Sequence, residues 1–139
     1  MGVHPQKQPG LYFVGMCVPA GRMQAQDLHE IARLAETYGD GTVRLTCEEN
    51  VLLVNVPESK LEALRAEPLL KRFQLDPGTL TKGMVTCTGS QFCGFALTET
   101  KNKAISVRKR ASLDSSRICA PDICCTCVCS SHNITKLFS

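Results

Sequence analysis

The stretch TVRLTCEENVLLVNV (residues 42–56) reads as two strands joined by a polar turn, and that reading decides the class of fold. Val43, Leu45 and Cys47 alternate with Thr42, Arg44 and Thr46, the period-2 pattern of a strand with one apolar face. Glu48-Glu49-Asn50 interrupts the apolar run and VLLVNV resumes it, so an antiparallel hairpin is expected. On this pattern Val43, Leu45, Val51 and Leu53 face a core, with Cys47 a small buried hydrophobe beside them.

Upstream, LYFVGMCV (residues 11–18) is an apolar, β-rich run that stops at Pro19. Between it and the hairpin lies AGRMQAQDLHEIARLAETYGDG (residues 20–41). There Leu28, Ile31, Ala32 and Ala35 recur at helical spacing, and Gly39 is placed to end the helix in a left-handed cap. Leu28 and Ile31 therefore join the expected core. Downstream, Pro57-Glu58-Ser59 opens a second helix, with capping-box spacing at Ser59 and Glu62 and an apolar face at Leu61 and Leu64. Pro68 weakens that helix from the residue before it. The order β-α-β-β-α is most of a split βαβ, ferredoxin-like unit of the α+β class. Such a unit ends in one more strand beside the first. MVTC (residues 84–87) either supplies that strand or leads into a following domain.

The 139 residues suit one domain, or one small domain plus part of another, and 43% apolar content permits a real core. A net charge of +3 is mild, and the one dense basic cluster, Arg108-Lys109-Arg110, reads as a solvated loop. Because no basic patch is interleaved with aromatics, nucleic-acid binding is not expected. The opening MGVHPQKQPG is polar, without the apolar run of a signal peptide, and no stretch has the length of a membrane span. The thiols are therefore expected in a reducing compartment, where clustered cysteines point to metal or redox chemistry rather than disulfides.

Nine cysteines are unevenly placed. Cys119, Cys124, Cys125, Cys127 and Cys129 crowd together near the end, while Cys87 and Cys93 stand in VTCTGSQFCGFALTETK (residues 85–101). Thiolates in a Gly/Thr-rich loop suit soft metals and iron–sulfur clusters. Small residues belong there because backbone amides must approach the sulfurs, a role open to Gly89 and Gly94. A helix starting near Cys93 would add a favourable dipole for the anionic ligands. On spacing alone, two buried structural cysteines are an equally good reading.

The wider string is more specific. VTCTGSQFCGFALTETK resembles the first half of the iron–sulfur/siroheme signature of assimilatory nitrite and sulfite reductases, the ferredoxin–nitrite reductase branch in particular. Residues 2–59 resemble the ferredoxin-like half-domain that precedes that signature in the family's second half. Together the resemblance covers residues 2–103. It implies reduction of nitrite to ammonia with electrons from ferredoxin, passed through a 4Fe-4S cluster to siroheme. It also implies that Cys87 and Cys93 are the first two of four cluster cysteines, and that Arg44 and Asn50 fall on the siroheme side. For those last two, an exposed strand arginine and a turn asparagine without that role are the slightly better reading. The family's second cysteine pair has no counterpart here. Cys125 and Cys129 share its spacing but lack its flanking Gly, Pro and Asn.

The resemblance divides the chain into an N-terminal arm (1–10), the half-domain (11–78), the truncated beginning of the 4Fe-4S/siroheme domain (79–106) and a Cys-rich tail unlike the family (107–139). Beyond Lys103 the sequence has no sustained period, so the tail is expected to be mostly disordered. The chain reads as a fragment that neither binds the two cofactors stably nor reduces nitrite by itself. A plant or algal parent implies the plastid stroma, a bacterial one the cytoplasm. Two other readings stand beside this one: a Cys-rich protein holding Zn²⁺ or Cu(I) as thiolates, and a cofactor-free ferredoxin-like interaction domain. His29 has no partners at ligand spacing and is expected at the surface; His4 is given no role.

Overall fold

The computed structural model describes residues 1–113, which fall into two compact units dividing after Lys82. The first unit carries a four-stranded antiparallel sheet of β1 (Gly2–Pro5), β2 (Leu11–Met16), β3 (Val43–Leu45) and β4 (Val51–Pro57), in the order β1-β2-β4-β3. Helix α1 (Ala25–Tyr38) follows β2, and the short helices α2 (Leu61–Arg65), α3 (Pro68–Arg72) and α4 (Thr79–Lys82) follow β4. The β-α-β-β-α order expected for residues 11–67 is present, and the α+β, ferredoxin-like class holds.

One strand differs from the sequence reading, and one open alternative is resolved. Residues 84–87 form no strand. The place beside β2 is taken instead by β1, out of the stretch read as an irregular arm, with Val3 opposite Val14 and Pro5 opposite Tyr12. A polar, proline-bearing strand hides from period-2 patterning because its pairing rests on main-chain bonds. At a sheet edge the proline's missing N–H is tolerated.

The core lies between the sheet and the helices. Val14, Met16, Val51, Leu53 and Val56 contribute from the strands, and Ile31, Leu34 and Leu64 from the helices. Leu28, by contrast, is 52% exposed and Leu45 74% exposed, while Val43 is half-buried against the core. On α1 the buried stripe runs Asp27, Ile31, Leu34, Ala35, so an acid occupies the position that periodicity allotted to leucine. Asp27 is held there twice. Its Oδ2 accepts the Gln24 N–H at 3.0 Å in a capping box, and its Oδ1 accepts from Arg72 at 2.6 Å. The Arg72 guanidinium in turn stands 5.4 Å over the Phe73 ring.

Leu45 and Cys47 miss the core because β3 is a three-residue edge strand that ends at a tight turn. Thr46 N–H donates to Asn50 O at 2.9 Å, Asn50 N–H donates to Thr46 Oγ1 at 3.1 Å, and Glu49 takes φ +60°. The turn lifts Cys47 into solvent. The Ser59–Glu62 capping box is not formed either: Glu58–Lys60 is a 3-10 turn and α2 starts at Leu61 without a side-chain cap. Pro68 sits at the start of α3, where its absent N–H is not needed.

A bulge in β4 opposite Phe13 puts Asn55 at φ +57°. Its side chain clamps three segments. Asn55 Nδ2 donates to Asp40 at 2.6 Å, and Gln6 Nε2 donates to Asn55 Oδ1 at 3.0 Å while Gln6 Oε1 accepts the Asn55 N–H at 2.7 Å. The Asn55 side-chain amide lowers the pKa of Asp40, as the Tyr38 hydroxyl at 2.6 Å lowers that of Glu67. Carboxylates depressed in the folded state stabilise it above their unfolded pKa and lose that contribution as pH falls through the folded value. Thermal stability should therefore fall as pH drops below about 4, and the fall should be shallower in Glu67→Gln. A scan of melting temperature between pH 2 and 7 giving identical slopes for both proteins would refute this.

Candidate functional site

The second unit presents Cys87 and Cys93 on a loop closed by its own hydrogen bonds and followed by α5 (Lys101–Leu113). Gly89 makes the closure possible. Its φ of +78° is a left-handed conformation, and a Cβ there would lie 2.7 Å from Thr100 Oγ1 and 2.8 Å from Thr100 N. Its carbonyl accepts the Cys93 N–H at 3.0 Å and the Phe92 N–H at 3.2 Å, and the adjacent Ser90 N–H donates to Thr98 O at 2.9 Å. The loop so tied holds the Cys87 thiol exposed and the Cys93 thiol half-exposed. Phe92, Phe95 and Leu97 stand beside them almost wholly in solvent.

The helix expected near Cys93 begins eight residues later, at Lys101. Cys93 lies in a turn instead, its carbonyl accepting the Ala96 N–H at 3.1 Å, so no helix dipole opens at its thiol. Thr100 is the cap: its carbonyl accepts the Ala104 N–H at 2.9 Å, and the neighbouring Glu99 carboxylate accepts the Asn102 N–H at 3.1 Å. Lys101 Nζ reaches back to Thr86 O at 3.2 Å. Residues 101–113 are helical where collapse beyond Lys103 was expected. Arg108, Lys109 and Arg110 therefore lie on a helix rather than a loop, because Lys, Ala and Arg are good helix formers even without an apolar stripe. Residues 114–139 and their five cysteines lie outside the described residues.

Arg44 and Asn50 belong to the first unit. Arg44 is exposed on β3 opposite Leu52. Asn50 is buried, and its Oδ1 accepts the Val18 N–H at 3.0 Å, which joins the β3–β4 turn to the end of β2. Its side-chain oxygen is thus committed to the fold. His29 is exposed as expected, and His4 stacks on Phe13 with ring centroids 5.1 Å apart.

The described residues bring two thiols together on one loop and no more. Cys87 and Cys93 sit on one loop, whereas Cys17 is buried and its Sγ points to Thr81 O at 3.9 Å. Among the described residues no group of three or more His, Cys, Asp or Glu side chains is gathered for a metal ion. No disulfide is formed among the described residues, and no helix there is long and apolar enough to cross a membrane.

The sheet and its helices form an α+β, ferredoxin-like half-domain, and comparison with known proteins identifies its class. Residues 4–70 match the nitrite/sulfite reductase ferredoxin-like half domain, and the chain belongs to the nitrite/sulfite reductase family. Within that family its relatives are ferredoxin–nitrite reductases. That of Synechococcus elongatus is 56% identical over 119 residues, 84% of this chain and 23% of the relative. The chloroplastic enzyme of Arabidopsis thaliana is 60% identical over 107 residues, 76% of this chain and 18% of the relative. The structure of the Mycobacterium tuberculosis NirA protein superposes with a TM-score of 0.70 at 26% identity, over 86% of this chain and 22% of that one. The chain thus spans about a fifth of the length of these relatives.

Proposed function

We propose that this chain is part of a ferredoxin-dependent nitrite reductase in which Cys87 and Cys93 provide two of the four thiolates of a 4Fe-4S cluster. The reading rests chiefly on one observation: both thiols are presented by a Gly89-closed loop in a chain 56% identical over 119 residues to a ferredoxin–nitrite reductase. In the assembled enzyme the cluster would relay single electrons from ferredoxin to siroheme, where nitrite is reduced. Arg44, an exposed cation on β3, would lie on the siroheme side. Any role of Asn50 toward a bound group falls to its amide N–H₂, since its oxygen accepts from Val18. Residues 79–106 would begin the cluster-binding domain, with residues 107–139 as a tail beyond it. The compartment is the plastid stroma for a plant or algal parent and the cytoplasm for a bacterial one.

Two thiolates do not close a four-thiolate cluster. Cys125 and Cys129 lack the Gly, Pro and Asn that flank the family's second pair. Residues 1–139 by themselves are therefore expected to yield no stoichiometric cluster on reconstitution with iron and sulfide, and no nitrite reduction. Residues 1–106, exchanged for the matching span of the Synechococcus elongatus relative, are expected to give a graft that reduces nitrite with reduced ferredoxin. Cys87→Ser in the graft should abolish both the cluster absorbance and the activity. A folded graft that keeps its cluster without Cys87 would refute the ligand assignment. A full cluster on the isolated chain would refute its incompleteness.

A further inference from the structure

We infer that Thr100 is the positioning residue for Cys87, fixing the angle at which the loop offers that thiol; this rests on the reading of Cys87 as a cluster ligand. One hydroxyl serves both parts of the cysteine. Thr100 Oγ1 donates to the Cys87 carbonyl at 2.6 Å, and the Cys87 Sγ lies 3.7 Å from the same oxygen. The loop is shaped to admit this contact, because Thr100 Oγ1 and N occupy the space that a Cβ on Gly89 would require. Thr100 is itself held as the cap of a 13-residue helix, through the Ala104 N–H on its carbonyl and the Glu99 carboxylate on Asn102. The thiol on a solvent-exposed loop is thereby referred to a regular element, which is what a metal ligand needs from the groups around it.

Valine keeps the shape of threonine without the hydroxyl, and serine keeps the hydroxyl without the methyl, so the pair separates bond from packing. The test is the rate of iodoacetamide alkylation at each cysteine of the reduced 139-residue chain, read by peptide mass spectrometry at one pH. In Thr100→Val, Cys87 should be alkylated about three- to tenfold faster, the range expected for one lost hydrogen bond. Cys17 and Cys47 should keep their rates, and Thr100→Ser should restore Cys87 to within about twofold of the parent. Unchanged Cys87 alkylation in Thr100→Val, failure of serine to rescue, or equal acceleration at all cysteines would overturn the tie. In the graft, Thr100→Val should lower the iron–sulfur content per chain and Thr100→Ser should recover it. Unchanged iron content would overturn the ligand-presenting role. The alkylation measurement involves no cluster, so its outcome is separate from whether Cys87→Ser empties the graft.

Discussion

Leu53→Ala is expected to destabilise the first unit by about 3–5 kcal/mol, the range for deleting a buried leucine side chain without relaxation. Leu53 is fully buried on the central strand β4, in register with Val14 of β2 on one side and Val43 of β3 on the other. Backbone on both sides is fixed by the ladder, and Ile31, Leu34 and Leu64 are also fully packed, so the cavity has little means of collapse. Against a total stability of roughly 5–15 kcal/mol for a domain, such a loss brings the unit close to unfolding at room temperature. Leu45→Ala is the internal control. It lies in the same hairpin, opposite Val51, yet at 74% exposure it should change stability by no more than about 0.5 kcal/mol. Urea unfolding followed by circular dichroism separates the two. Equal losses from both substitutions would mean that β3 is covered in solution by something that the fold of this unit does not provide.

That contrast shows how far periodicity carries. Alternation in residues 42–56 places Leu45 and Leu53 in one class, and it is right about the hairpin and about Val51 and Leu53. It is blind to strand length, and a strand that ends after three residues leaves its last apolar side chain in water. The same blindness to partners hides Asp27. An acid enters a buried helical stripe only because Gln24 and Arg72 meet its two oxygens, and Arg72 is 45 residues away. Strand β1 escapes notice because its bonds run through the main chain to β2, with no side-chain pattern to announce them. In the cysteine loop, the resemblance around Cys87 and Cys93, rather than their spacing, marks the candidate site. Gly89 was legible as a small residue near a thiol. Thr100 was not, since a threonine before a helix is commonplace and its bond to Cys87 spans 13 residues. The exposed Phe92, Phe95 and Leu97 follow from no local rule.

Gly89→Ala is expected to break the cysteine loop open while leaving the first unit folded. Two penalties act together. The left-handed φ of +78° disfavours any residue with a Cβ by about 1 kcal/mol or more. The new methyl would also stand 2.8 Å from Thr100 N, a backbone atom at the cap of α5 that cannot swing aside as a side chain can. The loop can relieve both only by moving Gly89 away from Thr100. That motion strips the Thr100 hydroxyl from the Cys87 carbonyl and the Ser90 N–H from Thr98 O. Hydrogen exchange should then speed up at Ser90, Cys93 and Ala104 by about tenfold or more, reflecting the loss of more than about 1.4 kcal/mol of local protection. Exchange at β2 and β4 should be unchanged, and Cys87 should be alkylated at least as fast as in Thr100→Val. The order of the two effects matters. If Gly89→Ala accelerates Cys87 less than Thr100→Val does, then the loop tolerates a left-handed alanine against Thr100, and the tight approach between the two residues is not what holds the thiol.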